Sequence, residues 1–389
     1  VEAIVPDGEK NTWWGRIVLV GALWAMIGPG LFGILSDRCQ SRFGRRRPFI
    51  AIGGALTGLA LMFLGSANQV WMFFVGYLLV QVSDDVAMGP YSAIVPEYVP
   101  EKSRGKAAGI MGLLKLLAQL VAAGVGVVLA EKVMGLYVVM ALLNVACALW
   151  VFFTIKEVPF VRTVGQEKFD PMKALRNFWS PFRKADFRWI WITSFLNAFG
   201  FYMILTYLRY YLGDKILPPM LESGSIVPKF IIESPLRATI VAAVIISLAG
   251  AVSALKAGKM VDRIGRKKVV VGAGWLMFGA LIPFALISNY LVILALAVPF
   301  GIGYGAYISS DWALVSDVLG DDIEYGKNMG LWQMSVATPQ VISGILGTLV
   351  DYLNKQWTGQ YYGYTVIFMI ASFGFLFGST LVKRIKGSS

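Results

Sequence analysis

The amino-acid sequence predicts an all-α polytopic membrane protein. Hydrophobic residues make up 57% of the 389 residues and charged residues only 15%, where a soluble domain carries about 25%. The apolar residues form long runs, and the charged residues collect in the segments between them. This composition excludes a disordered, fibrous or disulfide-built protein and argues against an ordinary cytosolic enzyme.

Eleven apolar runs are long enough to cross a bilayer as a helix, which takes about 20 residues. They lie at residues 13–35, 49–64, 70–90, 107–130, 136–155, 189–211, 238–257, 269–287, 291–318, 328–350 and 364–381. Every second loop between them is rich in lysine and arginine, and the others hold few. Because positive loops mark the cytoplasmic side, the C-terminus is expected in the cytoplasm and the first ten residues outside it.

The chain contains an internal repeat. Residues 33–38 (Gly-Ile-Leu-Ser-Asp-Arg) recur at 258–263 (Gly-Lys-Met-Val-Asp-Arg), and a Gly-Arg-basic cluster follows each copy, at 44–46 and 265–267. The two halves are therefore parallel repeats of one unit. The run at 189–211 opens the second unit, and its counterpart would precede the chain. We therefore expect a protein of twelve spans whose first transmembrane helix is absent here.

These repeats define the expected domains. We predict an N-terminal bundle at 1–155, a cytoplasmic inter-bundle loop at 156–188 and a C-terminal bundle at 189–389. In the loop, apolar residues recur at helical spacing, which predicts an amphipathic helix on the membrane surface; a loop with chance periodicity is the alternative. These apolar residues are Met172, Leu175, Phe178, Trp179 and Phe182.

The residue inventory excludes several functions. The net charge is +12, but the basic clusters lie between apolar runs and no basic stripe carries interleaved aromatics, so nucleic acid is not the expected partner. Histidine is absent, and proton chemistry must therefore use carboxylates. No other potential metal ligands lie near Cys39 or Cys147 in the sequence. We therefore expect no metal, no cofactor and no enzymatic activity.

Residues 36–50 (Ser-Asp-Arg-Cys-Gln-Ser-Arg-Phe-Gly-Arg-Arg-Arg-Pro-Phe-Ile) resemble the loop between the second and third spans of major facilitator superfamily transporters. More narrowly, they look like the sucrose–proton symporters and related glycoside–cation symporters. The sucrose-type resemblance is strong over 37–50, fair over 89–109 and weak in the second half. It implies the major facilitator fold, with two pseudo-symmetric six-helix bundles that rock around a central site.

Charges inside the predicted spans call for a reason, since each costs at least about 2.5–3.5 kcal/mol on insertion scales. Asp84 lies on the more polar stripe of its span and is preferred over Asp85 as the proton-coupling carboxylate. Lys115 lies at a similar depth in the next span, so an Asp84–Lys115 ion pair is predicted, with a structural role as the alternative. Asp311 is expected either as a second coupling carboxylate or as part of the inner gate.

Aromatic and amide side chains in the spans are candidates for a substrate cavity, because flat rings cover the apolar faces of a sugar and amides bond its hydroxyls. Packing or interface anchoring is the competing interpretation for each. The candidates are Tyr77, Gln81, Gln119, Asn197, Tyr202, Tyr304, Tyr307, Trp332, Gln333 and Gln340.

The repeated loop motif and two acidic residues that match between the halves are candidates for a cytoplasmic gate. They are Asp37, Arg38, Arg45, Glu97, Asp262, Arg263, Arg266 and Asp317. The segments at Gly105 and Gly326 lead into helix N-termini, whose positive dipole ends would attract Asp262 and Asp37 respectively. The alternative is that these residues only set the orientation of the protein in the membrane. That role explains the arginines, but not the acidic residues that match between the two halves.

Together these features predict a secondary active transporter that works by alternating access, with proton-coupled symport of a sugar or glycoside as the specific hypothesis. One alternative is another organic solute, for which Lys115 and Arg209 would neutralise an anion. The other is a transporter-like assembly factor or scaffold in a larger membrane complex. The expected partners are a small-molecule substrate, a proton and the lipid bilayer, and a monomer is favoured.

Overall fold

The computed structural model describes residues 10–129, 132–157, 172, 176–223, 227–319, 324–357 and 360–386. The regular elements in these ranges are helices, with no β-strand among them. The long ones are α1 Lys10–Asp37, α2 Arg47–Gly65, α3 Val70–Ser92, α4 Arg104–Val128, α5 Val133–Thr154, α6 Ala185–Tyr211, α7 Pro235–Ile264, α8 Arg266–Leu286, α9 Tyr290–Leu319, α10 Tyr325–Ile345 and α11 Tyr362–Leu381.

Each predicted span corresponds to one of these helices. In the described part of the chain, ten helices are long and apolar enough to cross a membrane, and α1 contributes a shorter apolar segment, Leu23–Asp37. The predicted fold class, an all-α polytopic membrane protein, is therefore confirmed.

Shorter elements connect the long helices. They are Ile94–Tyr98, Glu101–Ser103, Ser180–Arg183, Leu212–Ile216, Leu217–Ser223, Lys229–Ile232, Gly347–Gln356 and Val382–Arg384. Leu212–Ile216 is a π-helix that continues α6. The predicted amphipathic helix at 172–182 lies partly outside the described residues, and its end is a turn followed by the 3₁₀ helix Ser180–Arg183.

The first of two compact units comprises residues 1–98, 124–184 and 319–338. In its described part, α3 contacts both α1 and α2, and α2 also contacts α5. Glycines let these helices approach closely. A Cβ at Gly53 would lie 2.6 Å from the backbone nitrogen of Ala87 on α3, and one at Gly58 would lie 2.6 Å from Val145 on α5.

The second unit comprises residues 99–123, 185–318 and 339–389. Here α11 contacts α6 and α8, and the first half of α4 meets α7 where Gly109 faces Gly258. A buried apolar cluster lies beside this contact and includes Ala108, Val261 and Ala313. The domain boundaries that the repeat predicts, at 155 and 189, stay a prediction.

Candidate functional site

Asp37 ends α1 and lies against the N-terminus of α10. Its carboxylate accepts hydrogen bonds from the backbone N–H groups of Gly326, at 2.9 Å, and Lys327, at 3.0 Å. These N–H groups have no partner within their own helix and carry the positive end of its dipole. Asp37 is only 4% exposed, so the contact is a buried carboxylate on a helix N-terminus.

Arg46 is the buried cation beside Asp37. Its side chain is fully buried, and its Nη2 lies 2.5 Å from Asp37 Oδ1 and 2.9 Å from Glu97 Oε2. Glu97 also pairs with Arg45 at 2.5 Å. We call Asp37, Arg45, Arg46, Glu97 and the α10 N-terminus the first ion-pair cluster. Arg45 is a gate residue predicted from the sequence, whereas Arg46, the next residue in the same motif, is a functional residue that the motif alone does not single out.

Glu157 is a second functional residue not predicted from the sequence, and it binds the backbone next to the first cluster. Its carboxylate accepts hydrogen bonds from the backbone N–H groups of Arg46, at 2.9 Å, and Arg47, at 3.2 Å. Burial raises the pKa of the Glu157 carboxyl, and these hydrogen bonds lower it in part. Gly44 has a φ of +96°, and a Cβ there would overlap Glu157, so glycine is required for the turn.

A matching arrangement lies in the second unit. Asp262, on α7, accepts hydrogen bonds from the backbone N–H groups of Gly105 and Lys106, both at 3.0 Å, at the N-terminus of α4. Arg266 pairs with Asp317, as Arg45 pairs with Glu97 in the first unit. Arg104 adds a further contact to Asp317 at 3.2 Å.

We call Asp262, Arg266, Asp317, Arg104 and the α4 N-terminus the second ion-pair cluster. The turn that precedes Arg266 has the same conformation as its counterpart, with a φ of +94° at Gly265. The two clusters differ in exposure, because Asp262 is exposed whereas Asp37 is buried.

Two further gate candidates lie at the edges. Arg38 donates to Glu324 at 3.1 Å, with both side chains 35% exposed. Arg263 is exposed near the end of α7. The buried Lys327 Nζ binds Glu324 and, at 3.2 Å, Ser180 Oγ, so the segment that precedes α6 also meets the first cluster.

The charged residues inside the helices fall into two groups. In the second unit, Asp311 on α9 is 5% exposed and accepts hydrogen bonds from Ser194 Oγ, at 2.9 Å, and Tyr307 OH, at 3.0 Å. Lys115 of α4 interacts with it electrostatically. The two side chains form no salt bridge in the described part of the chain, so this interaction acts at longer range.

In the first unit, α3 carries two adjacent carboxylates. Asp84 is exposed, whereas Asp85 is 3% exposed. The predicted Asp84–Lys115 pair stays a prediction.

The candidate cavity residues separate by burial. Tyr304 stacks on Phe201 with a centroid distance of 4.2 Å and lies one turn from Tyr307 on α9. Asn197 is 1% exposed. Its side-chain NH₂ group donates a hydrogen bond to the Thr193 carbonyl oxygen, and its side-chain oxygen accepts one from Ser379 Oγ. The polar groups of this side chain are therefore used in helix contacts. Trp332 is likewise fully buried.

The remaining cavity candidates are at least partly accessible. Tyr77, Gln81, Tyr202 and Gln333 are half-buried, and Gln119 and Gln340 are exposed. They stay candidates.

The family model described as Major Facilitator Superfamily matches residues 13–232 and 210–387. The chain is 28% identical over 113 residues to the sucrose transport protein SUC4 of Arabidopsis thaliana, a match that covers 25% of this chain and 22% of that relative. The chain thus spans less than a quarter of that relative's length.

Two solved structures are similar in fold. The proton:xylose symporter XylE has a TM-score of 0.71 at 16% identity, over 99% of this chain and 88% of that one. The human organic anion transporter MFSD10 has a TM-score of 0.71 at 16% identity, over 95% and 83%.

Proposed function

The chain belongs to the Major Facilitator Superfamily, a family of transporters, and on that basis we propose that it is a proton-coupled symporter of a sugar or glycoside. It is an integral membrane protein with many spans, and it is not an enzyme. The observation that carries the proposal is the pair of matched ion-pair clusters. In each cluster, a carboxylate from one repeat binds a helix N-terminus from the other repeat, as expected of a transporter that works by alternating access.

Such contacts suit a gate that opens and closes. Asp37 belongs to the first repeat and α10 to the second, while Asp262 belongs to the second and α4 to the first. Each carboxylate must leave its helix N-terminus if the repeats separate at this end. The arginine- and lysine-rich loops lie at this end of the helices, and such loops mark the cytoplasmic side of a membrane. We therefore propose that this end faces the cytoplasm.

Proton coupling in this proposal uses carboxylates in the helices. Asp311 accepts hydrogen bonds from two hydroxyl groups and interacts electrostatically with Lys115. In this proposal a movement of these neighbours during the transport cycle changes whether Asp311 holds a proton. Asp84, exposed on α3, is the second proposed coupling carboxylate.

The sugar class rests on aromatic residues of α6 and α9, the two helices that hold Asp311 and its hydrogen-bond donors. Tyr202, Tyr304 and Phe201 form a ring cluster, and aromatic faces cover the apolar faces of sugars while hydroxyl and carboxylate groups bind their hydroxyls. The local similarity to a sucrose transport protein supports the same class.

The test is uptake of labelled sugars by the purified chain in proteoliposomes. A panel of xylose, glucose, sucrose and maltose is offered with and without an inward proton gradient, and Asp84→Asn serves as the variant. We expect one sugar to accumulate above its outside concentration only with the gradient, and Asp84→Asn to retain exchange but not accumulation. Uptake that ignores the gradient would exclude symport.

An organic anion is the second candidate, favoured by the cation Lys115, which is exposed on α4. The proteoliposome assay includes labelled organic anions for this reason. Anion uptake without sugar uptake would replace the sugar proposal, and Lys115→Gln should then abolish it.

A further inference from the structure

Two of the five arginines in the segment that joins α1 to α2 form no ion pair with the described residues. Arg38, Arg45 and Arg46 each pair with a carboxylate. Arg42 and Arg47, in contrast, contact no carboxylate in the part of the chain that the structure describes. Arg42 is exposed, and Arg47 is half-buried at the start of α2. The segment therefore carries two positive charges that no direct contact with a described carboxylate neutralises.

Both of these arginines lie on aromatic rings. The guanidinium carbon of Arg42 lies 4.7 Å from the ring centroid of Phe43, and that of Arg47 lies 4.7 Å from the ring centroid of Phe152 on α5. The Phe43 and Phe152 rings are 5.4 Å apart, and the Phe153 ring lies 5.4 Å from that of Phe152. We call Arg42, Phe43, Arg47, Phe152 and Phe153 the basic–aromatic patch, and all five belong to the first unit.

Hydrogen bonds to the backbone hold the Arg47 side chain in place. Because α5 ends at Thr154, the Phe152 carbonyl lies in the last turn and lacks a partner within its own helix. Arg47 Nε donates to this carbonyl at 2.7 Å, and Arg47 Nη2 donates to it as well. A guanidinium group has five N–H donors, so Arg47 keeps donors for an outside ligand. Arg42 donates no hydrogen bond within the described residues.

Exposed apolar side chains surround these two cations. Phe153 is 73% exposed and Phe43 is 40% exposed, while Trp150, which lies three residues before Phe153 on the same side of α5, is 72% exposed. Helices α2 and α5 are both long and apolar enough to cross a membrane. Since α2 begins at Arg47 and α5 ends two residues after Phe152, the cations lie at the end of two spans, where lipid headgroups meet the acyl chains.

We propose that the basic–aromatic patch binds the headgroup of an anionic phospholipid. Guanidinium groups form charge-assisted hydrogen bonds to phosphate, and the exposed rings contact the acyl chains below it. The arginine-rich loops face the cytoplasm in our proposal, and anionic lipids are concentrated in the cytoplasmic leaflet. A zwitterionic headgroup brings no net charge to offset Arg42 and Arg47, so the patch selects lipids by charge. None of its residues is a substrate or coupling candidate, so the site does not depend on the substrate.

The test is native mass spectrometry of the purified full chain, incubated in detergent with dioleoyl phosphatidylglycerol or dioleoyl phosphatidylcholine. We expect the parent to retain a phosphatidylglycerol molecule that phosphatidylcholine does not replace. Arg42→Gln should lower the affinity for phosphatidylglycerol about fivefold, as expected for the loss of one cation at an anionic lipid surface, and Arg42→Lys should lower it less. Equal affinity of the parent and Arg42→Gln for phosphatidylglycerol, or equal affinity of the parent for the two lipids, would overturn the inference.

Lys268 provides the matched control, because it stands in the second repeat where Arg47 stands in the first and is exposed. Lys268→Gln should bind phosphatidylglycerol as the parent does. A loss as large as that in Arg42→Gln would show that any basic loop is sufficient and would contradict a specific site. Incubation with inorganic phosphate separates a lipid headgroup from a soluble anion, since phosphate that displaces the bound lipid would also overturn the proposal.

Thermal unfolding gives a second readout. A ligand that binds only the folded state stabilises it, so phosphatidylglycerol should raise the unfolding midpoint of the parent and of Lys268→Gln more than phosphatidylcholine does. Arg42→Gln should lose this difference between the lipids while its midpoint without added lipid stays close to that of the parent, because Arg42 is exposed. The same phosphatidylglycerol-specific rise in Arg42→Gln would contradict the proposal.

Discussion

Replacing Arg46 with alanine should destabilise the protein far more than replacing any other arginine of the same loop. The Arg46 side chain is fully buried and bridges Asp37, at 2.5 Å, and Glu97, at 2.9 Å. It also donates to Ser36 Oγ. Truncation leaves Asp37 buried without a cationic partner, whereas Glu97 keeps Arg45.

The magnitude follows from this burial. Removing one partner of a buried ion pair typically costs about 3–5 kcal/mol, because the other charge is stranded. Arg38 is the matched control, since it lies in the same loop but pairs with Glu324 where both side chains are 35% exposed. An exposed pair contributes about 0–1 kcal/mol.

The assay is the midpoint of thermal unfolding of each purified variant in the same detergent, followed by tryptophan fluorescence. We expect Arg46→Ala to unfold at a much lower temperature than the parent and Arg38→Ala to unfold close to it. Equal midpoints for Arg46→Ala and Arg38→Ala would refute the buried bridge.

Three further predictions concern the other groups. Asp37→Asn removes a charge–dipole contact of about 0.3–2 kcal/mol and also one of the two carboxylates that pair with the buried Arg46, so it should destabilise the protein by more than the dipole contact alone and raise labelling of cysteines introduced near the cytoplasmic ends of the helices. Asp262→Asn, its exposed counterpart, should have a smaller effect, and an equal effect would contradict the difference in burial. Tyr307→Phe removes the 3.0 Å hydrogen bond from the Tyr307 hydroxyl to Asp311, so gradient-driven uptake should fall while the variant still folds, and unchanged uptake would count against Asp311 as a coupling group. Burial raises the pKa of the Glu157 carboxyl. The parent should therefore lose stability relative to Glu157→Gln as the pH rises from the ordinary glutamate pKa through the raised value. A difference in unfolding midpoint between parent and variant that stays constant with pH would show that Glu157 does not titrate in this range.

The sequence predicts the spans well because a bilayer imposes one simple rule. A helix of about 20 apolar residues is required to cross it, and the eleven predicted runs all correspond to long helices. The repeat also anticipated where Asp37 and Asp262 would lie, since a short loop motif and a helix N-terminus recurred together in both halves.

Side-chain partners within the membrane were harder to predict. Depth along a helix follows from residue counting, but the direction of a side chain depends on how that helix is rotated against its neighbours. Lys115 and Asp84 agree in depth, and their pairing stays a prediction; residue counting gives no indication of the electrostatic interaction between Lys115 and Asp311 within the second unit.

It was also not possible to predict from the sequence which arginine of the loop is buried. The choice between Arg45 and Arg46 depends on the left-handed turn at Gly44 and on Glu157, which binds the α2 N-terminus from more than a hundred residues away. Gly44 is a local signal for the turn, but the contact with Glu157 has none, because it joins residues that lie far apart in the sequence.

The central claim is that sugar movement and proton movement are coupled in one protein. It is tested most directly by trapping a pH-sensitive dye inside proteoliposomes and adding the sugar identified in the uptake panel outside, with no proton gradient imposed. The account predicts that the inward sugar gradient acidifies the interior, and that a protonophore abolishes the pH change while sugar still enters. Sugar entry without any change in internal pH would contradict it.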